Sequence, residues 1–159
     1  MLKGLKIGLG FGLASAVITT LGLMLGLATS TGSKLVVIAG ILTIAIADSF
    51  SDALGVHIAK ESEGNLSSRE VWHATFFTFI FKAFFALSFL IPVILLPINL
   101  ALYASFAWGS VILVLQSYKL ARDNGTKARE VIFEHFMIAV LVMVLTYFAG
   151  SFISGLNLV

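Results

Sequence analysis

The chain has 159 residues, of which 59% are hydrophobic and 11% charged, and its mean hydropathy is +1.06. A soluble domain is about half apolar and about a quarter charged, so this composition excludes a water-soluble globule and marks an integral membrane protein. A net charge of +2 built from only 10 basic residues is no nucleic-acid footprint, and the absence of Cys excludes a disulfide framework or a thiolate metal site.

Hydrocarbon admits only helices or closed barrels, because every backbone polar group must find its partner inside the protein. The apolar runs here are unbroken for about 20 residues rather than alternating, which makes them helices. The expected fold is therefore an all-α integral membrane protein with five transmembrane helices, and residues 1–159 read as a single transmembrane domain. Span 1 covers 7–28, IGLGFGLASAVITTLGLMLGLA. Span 2 covers 34–59 and ends in a polar stretch. Span 3 covers 71–96, VWHATFFTFIFKAFFALSFLIPVILL, and its many Phe are expected to face lipid or core. Span 4 covers 98–120 and span 5 covers 131–154. Turn residues separate them at Thr31-Gly32-Ser33, between Pro92 and Pro97, and at Asp123-Asn124-Gly125. Ala28-Thr29-Ser30 resembles a signal-peptide cleavage site, but the apolar segment before it is too long for that reading.

Lys and Arg set the orientation. One side collects Lys3, Lys6, Lys60, Arg69, Lys119, Arg122, Lys127 and Arg129, and the other has only Lys34. This predicts a cytoplasmic N-terminus and a C-terminus outside. In span 1, Gly8, Gly12, Ala16 and Thr20 recur at four-residue intervals, followed by Gly22 and Gly26. Small residues at that spacing let helix backbones approach closely in lipid. They suit a homodimer seam through span 1 or packing within one bundle.

The unusual residues lie in span 2, in AIADSFSDALGVHIAKESE at 45–63. Asp48 falls about eleven residues from the cytoplasmic end of the span, which at about 1.5 Å per residue is near the bilayer midplane. Asp52 is one turn nearer the cytoplasm on the same face, and Gly55 and Ala59 continue that face as small residues. His57 and Glu61 form another four-spaced pair near the surface, with Glu63 in the loop beyond. An ionised Asp at mid-bilayer costs at least about 2.5 kcal/mol. Lys82, about eleven residues into span 3, should meet Asp48 at the same depth on the neighbouring helix. One lysine neutralises only one of two aspartates. The surplus carboxylate calls for a proton, a cation or a water-filled cavity, which favours transport over a purely structural ion pair. In span 5, Glu130 suits a solvated helix end, while Glu134 and His135 lie deeper and could join a vestibule with His57, Glu61 and Glu63. His73 reads as interfacial. Carboxylates and imidazoles without Cys suit Mn²⁺ or Fe²⁺ more than Cu(I), and suit a proton relay equally.

The run FGLASAVITTLGLMLGL in span 1, IAG at 38–40 and SDALGVHIAKESE at 51–63 resemble the first two helices of the vacuolar iron transporter family. The five-span count and the predicted orientation match that family too. The resemblance implies a homodimer that exports Fe²⁺ and often Mn²⁺ from the cytosol in exchange for protons, with span 1 at the seam and span 2 along the ion path. The chain departs from the pattern at several positions. Ser15 stands where the family has an Asp, and Asp52 where it has a Met. Val56 and His57 replace a Glu and an aromatic, and Asp48 replaces a small residue. The family's long Glu- and Met-rich insert is reduced to KESEGNLSSRE. Exchanging thioether for carboxylate should favour harder ions such as Mn²⁺.

These readings converge on a minimal divalent-metal transporter with no resident cofactor, embedded in the lipid bilayer of a prokaryotic plasma membrane or an organelle. Asp48, Asp52, His57, Glu61 and Glu63 are the expected metal ligands. Ser15, Lys82, Glu134 and His135 belong to the path or to proton coupling. Two rivals remain: a proton-coupled carrier of a non-metal substrate, and a structural or partner-binding protein in which Asp48 and Lys82 are a fixed pair. An enzyme is not expected, because no Ser/His pair or two-His motif sits at a catalytic spacing.

Overall fold

Backbone amides find no partners in hydrocarbon, and the chain answers this with helices. The computed structural model describes residues 2–156. These form α1 (Leu2–Thr31), α2 (Lys34–Thr43), a π-helical turn (Ile44–Asp48), α3 (Ser49–Glu63), α4 (Ser68–Ser88), α5 (Leu90–Leu95), α6 (Ile98–Asn124) and α7 (Ala128–Gly155). Five stretches are long and apolar enough to cross a membrane: Lys3–Thr31, Lys34–Glu63, Ser68–Leu95, Ile98–Asn124 and Ala128–Gly155. They coincide with the five expected spans and run a few residues further at most ends, where polar residues extend the helices beyond the apolar core.

Two of the spans are interrupted, each for a local reason. In span 3, Pro92 has no N–H to offer the Ser88 carbonyl, and its ring crowds that carbonyl, so the helix breaks at Phe89. At the break, Ser88 Oγ donates to the Phe85 carbonyl oxygen at 2.6 Å and accepts from Trp108 Nε1 at 3.0 Å, tying span 3 to span 4. In span 2, the buried residues Val37, Ile41, Ala45, Ser49 and Ala53 follow a strict four-residue repeat. A straight α-helix has 3.6 residues per turn, so such a repeat drifts by about 40° at each step. The π turn takes up an extra residue and returns the repeat towards the bundle. Ser49 closes that turn: its backbone N–H and its Oγ, at 3.3 Å, both donate to the Ile44 carbonyl oxygen.

The helix ends follow ordinary capping chemistry. Ser67 and Glu70 form a reciprocal capping box at the start of α4. We expect Ser67→Ala to lower stability by about 1 kcal/mol, read as a shift in the denaturation midpoint of the purified protein. Gly64 and Gly125 end α3 and α6 with φ of 64° and 67°, the left-handed region that glycine enters without penalty. Lys34 Nζ donates to the carbonyls of Ile94, at 2.9 Å, and Leu96, at 3.2 Å, where span 3 ends. The lone basic residue of that end of the bundle therefore caps a neighbouring helix.

Helix α1 lies at the centre of the packing, against α4, α7, α6 and α2. Its small residues make this possible. A Cβ on Gly8 would stand 2.5 Å from Phe77 Cβ and 2.6 Å from the Thr78 nitrogen, and one on Gly12 would stand 2.8 Å from the Thr78 carbonyl oxygen. At the other end, a Cβ on Gly22 would meet Val142 Cγ1 at 2.7 Å, and one on Gly26 would meet the Thr146 carbonyl oxygen at 3.4 Å. Ala16 is fully buried. The glycines expected at a dimer seam are thus occupied within the chain, Gly8 and Gly12 by α4 and Gly22 and Gly26 by α7. This is the packing within one bundle that the spacing also allowed. Apolar side chains complete the core, with Leu13, Val17, Leu21 and Met24 of α1 packed among Val37, Ile41, Phe89, Val93 and Leu113.

Candidate functional site

The close approach of α1 and α4 sets the site. Because Gly12 carries no side chain, the α4 backbone at Lys82 comes close to α1 and Ser15, while α4 also packs directly on α3, so the lysine faces both spans. Lys82 is fully buried. Its ammonium donates to Ser15 Oγ at 3.0 Å and to Asp52 Oδ2. It also lies in ion-pair contact with Asp48 Oδ2. Ser15 Oγ donates in turn to Asp52 Oδ2 at 2.5 Å. Asp48 Oδ2 pairs with the ammonium without a directed hydrogen bond.

This cluster of Ser15, Asp48, Asp52 and Lys82 is at the middle of the bundle. Asp48 is within a residue of the midpoint of the Lys34–Glu63 span, and Lys82 within a residue of the midpoint of Ser68–Leu95. The lysine side chain is 0% exposed, but the Asp48 and Asp52 side chains are 38% and 21% exposed. One ammonium therefore stands behind two carboxylates that keep an open side. That side continues along span 2 through Ser51, Gly55 and Ala59, all exposed, and a Cβ on Gly55 would meet nothing within 4 Å. A charge at the bilayer centre costs about 2.5–3.5 kcal/mol even on insertion scales. Lys82 can offset this for one aspartate, so the second carboxylate calls for a proton or a cation of its own.

The other residues expected to act with the aspartates stand apart from them. His57 Nδ1 is 2.9 Å from Thr75 Oγ1, its Nε2 is 3.9 Å from the Glu61 carboxylate, and its ring packs edge-on against Trp72 at 4.7 Å between centroids. Glu63 is held by Lys60 at 2.6 Å. His135 Nδ1 is 2.8 Å from Ser117 Oγ at the α6–α7 contact, and Glu134 is exposed. Among the described residues, no three His, Asp or Glu side chains converge as a metal-holding group. The expected vestibule of His57, Glu61, Glu63, Glu134 and His135 is thus divided between the span 2–span 3 contact and the span 4–span 5 contact. Four-residue spacing puts residues on one helix face, but it does not say which neighbour that face meets.

Sequence reasoning passed over two contributors. The π turn ending at Asp48 carries no composition signal, and only the strict four-residue repeat of Val37, Ile41, Ala45, Ser49 and Ala53 marks it. Gly12 counted only as one small residue of a seam or a bundle contact, although it decides how near Lys82 comes to Ser15. Together, the fold and the cluster define a five-helix membrane-embedded protein with a buried charged centre. Comparison of the chain with protein-family models, curated proteins and solved structures finds no match. The functional reading accordingly rests on the residues.

Proposed function

We propose that the protein carries a divalent transition-metal ion, Fe²⁺ or Mn²⁺, out of the cytoplasm in exchange for protons. The observation that supports this best is the single buried ammonium facing two half-open carboxylates at the centre of the spans. A cation arriving along the small-residue flank of span 2 would meet Asp52 and Asp48, and Ser15 Oγ would add a third oxygen. Oxygen donors of this kind suit hard divalent ions. Binding two positive charges would displace Lys82 from the carboxylates. After release, Lys82 and a proton would restore the resting charge, which couples the ion to protons. His57 and Glu61 would act as an entry pair rather than as ligands in the same sphere. The basic residues gathered at one end support a cytoplasmic N-terminus by the positive-inside rule. The stretches of spans 1 and 2 that resemble the vacuolar iron transporter family support the substrate class.

One observation favours a second reading. No third acidic or histidine ligand stands beside the aspartates among the described residues, as suits a fixed ion pair holding spans 1, 2 and 3 together. The test is uptake of Mn²⁺ and Fe²⁺ into liposomes carrying a metal-sensitive dye, with and without a pH gradient. We expect gradient-dependent uptake by the native protein and uptake at the protein-free level for Asp48→Asn/Asp52→Asn. Native-level flux in that folded variant would sink the transport role of the aspartates. A folded native protein that moves neither ion would leave the fixed pair as the reading.

A further inference from the structure

A cavity of about 520 Å³ opens on the other flank of α1, between α1, the C-terminal part of α6 and His135 of α7. It shares no residue with the Asp48–Lys82 cluster. Lys6 and Lys119, both exposed, stand towards one end, and Ile7, Phe11 and Ala14 continue the lining along α1. From Lys6 to Ala14, α1 advances by about 12 Å, the distance from a headgroup region to the upper acyl chain. Gln116 Nε2 donates to the Gly10 carbonyl oxygen and holds that wall in place.

Gly10 explains why the cavity exists. Gly8 and Gly12 are packed against α4, but a Cβ on Gly10 would meet nothing within 4 Å. This glycine, which lines the cavity, leaves space that no neighbouring helix fills. The charge at that end is selective. Asp123 holds Lys6 at 3.4 Å, while Lys119 has no carboxylate partner among the described residues. Two ammonium groups against one carboxylate, above an apolar slot in a membrane-spanning bundle, fit a molecule with an anionic head and an acyl tail.

We propose that this cavity binds an anionic phospholipid, with the phosphate between Lys6 and Lys119 and one acyl chain along Ile7, Phe11 and Ala14. Basic pockets between transmembrane helices at one membrane face hold such headgroups. The reading does not depend on the transport proposal, because α1 separates the two sites.

The experiment is native mass spectrometry of the purified full chain with equimolar dioleoyl phosphatidylglycerol and dioleoyl phosphatidylcholine. The native protein should retain phosphatidylglycerol in preference, and each lysine changed in Lys6→Gln/Lys119→Gln should lower the preference about fivefold. Asp123→Asn should raise it. Gly10→Leu, whose side chain enters the open space, should lose bound lipid while its thermal midpoint stays at or above the native value. Equal retention of the two lipids by the native protein would overturn the proposal. So would an undiminished preference in the double-lysine variant, or lipid retained by Gly10→Leu. Displacement of the lipid by excess inorganic phosphate would show that the site takes a free anion and would also overturn it.

Discussion

Lys82→Met should be among the most damaging single substitutions in this protein. It removes the one ammonium that faces Asp48 and Asp52 and leaves both carboxylates at the centre of the bundle. Removing one partner of a buried ion pair costs about 3–5 kcal/mol, because an uncompensated charge stays behind. Met keeps the unbranched stem of Lys and fills the same apolar space, so the loss will report charge rather than packing. The measurement is the free energy of unfolding in a denaturing-detergent titration. The informative comparison is the triple variant Lys82→Met/Asp48→Asn/Asp52→Asn. Replacing a whole buried charge set by neutral groups is often neutral or stabilising, so the triple variant should recover most of the loss. A Lys82→Met protein within about 1 kcal/mol of native, against the expected cost, would mean that the lysine is not what keeps the aspartates in place. The same set of variants bears on function. If the cluster is the ion path, the triple variant is folded and silent. If the cluster is only a fixed pair, the triple variant folds and keeps the protein's activity.

Gly8→Ala should be the most costly addition of a single methyl group. The new Cβ would lie 2.5 Å from Phe77 Cβ and 2.6 Å from the Thr78 backbone nitrogen, and helix backbone cannot step aside as the tip of a flexible side chain can. Overpacking of this kind costs about 1–3 kcal/mol, and Gly8→Leu should cost more. The helices would have to separate, which also draws Lys82 away from Ser15, so under the proposed transport role metal flux should fall although no proposed ligand has been touched. Gly10→Ala is the internal control. Its Cβ meets open space, and exchanging glycine for alanine inside a helix is worth about 1 kcal/mol in the favourable direction. Similar unfolding energies for Gly8→Ala and Gly10→Ala would contradict the close α1–α4 approach.

Much of this was legible in the chain before folding. Lipid leaves so few choices that apolar run length alone determines helix, span count and turn position. Pro92, Pro97, Gly32 and Gly125 each interrupt a helix or stand between two because of their own covalent chemistry. The depth of Asp48 and Lys82 also followed from counting, since a helix advances uniformly. Only the tertiary structure decided what each helix face meets. The sequence pattern of Gly8, Gly12, Gly22 and Gly26 says that something comes close, and it does not distinguish a second copy from α4 and α7. Ser15 joins Lys82 because Gly12 admits α4, and Asp52 joins it because α4 also packs on α3, a meeting of three spans that no local spacing encodes. His57 and His135 come from opposite sides of the bundle and find Thr75 and Ser117 instead of the aspartates. Run length and residue depth are properties of one helix and can be read along it. Partnership depends on how the helices rotate against one another, which is settled by the packing of all five.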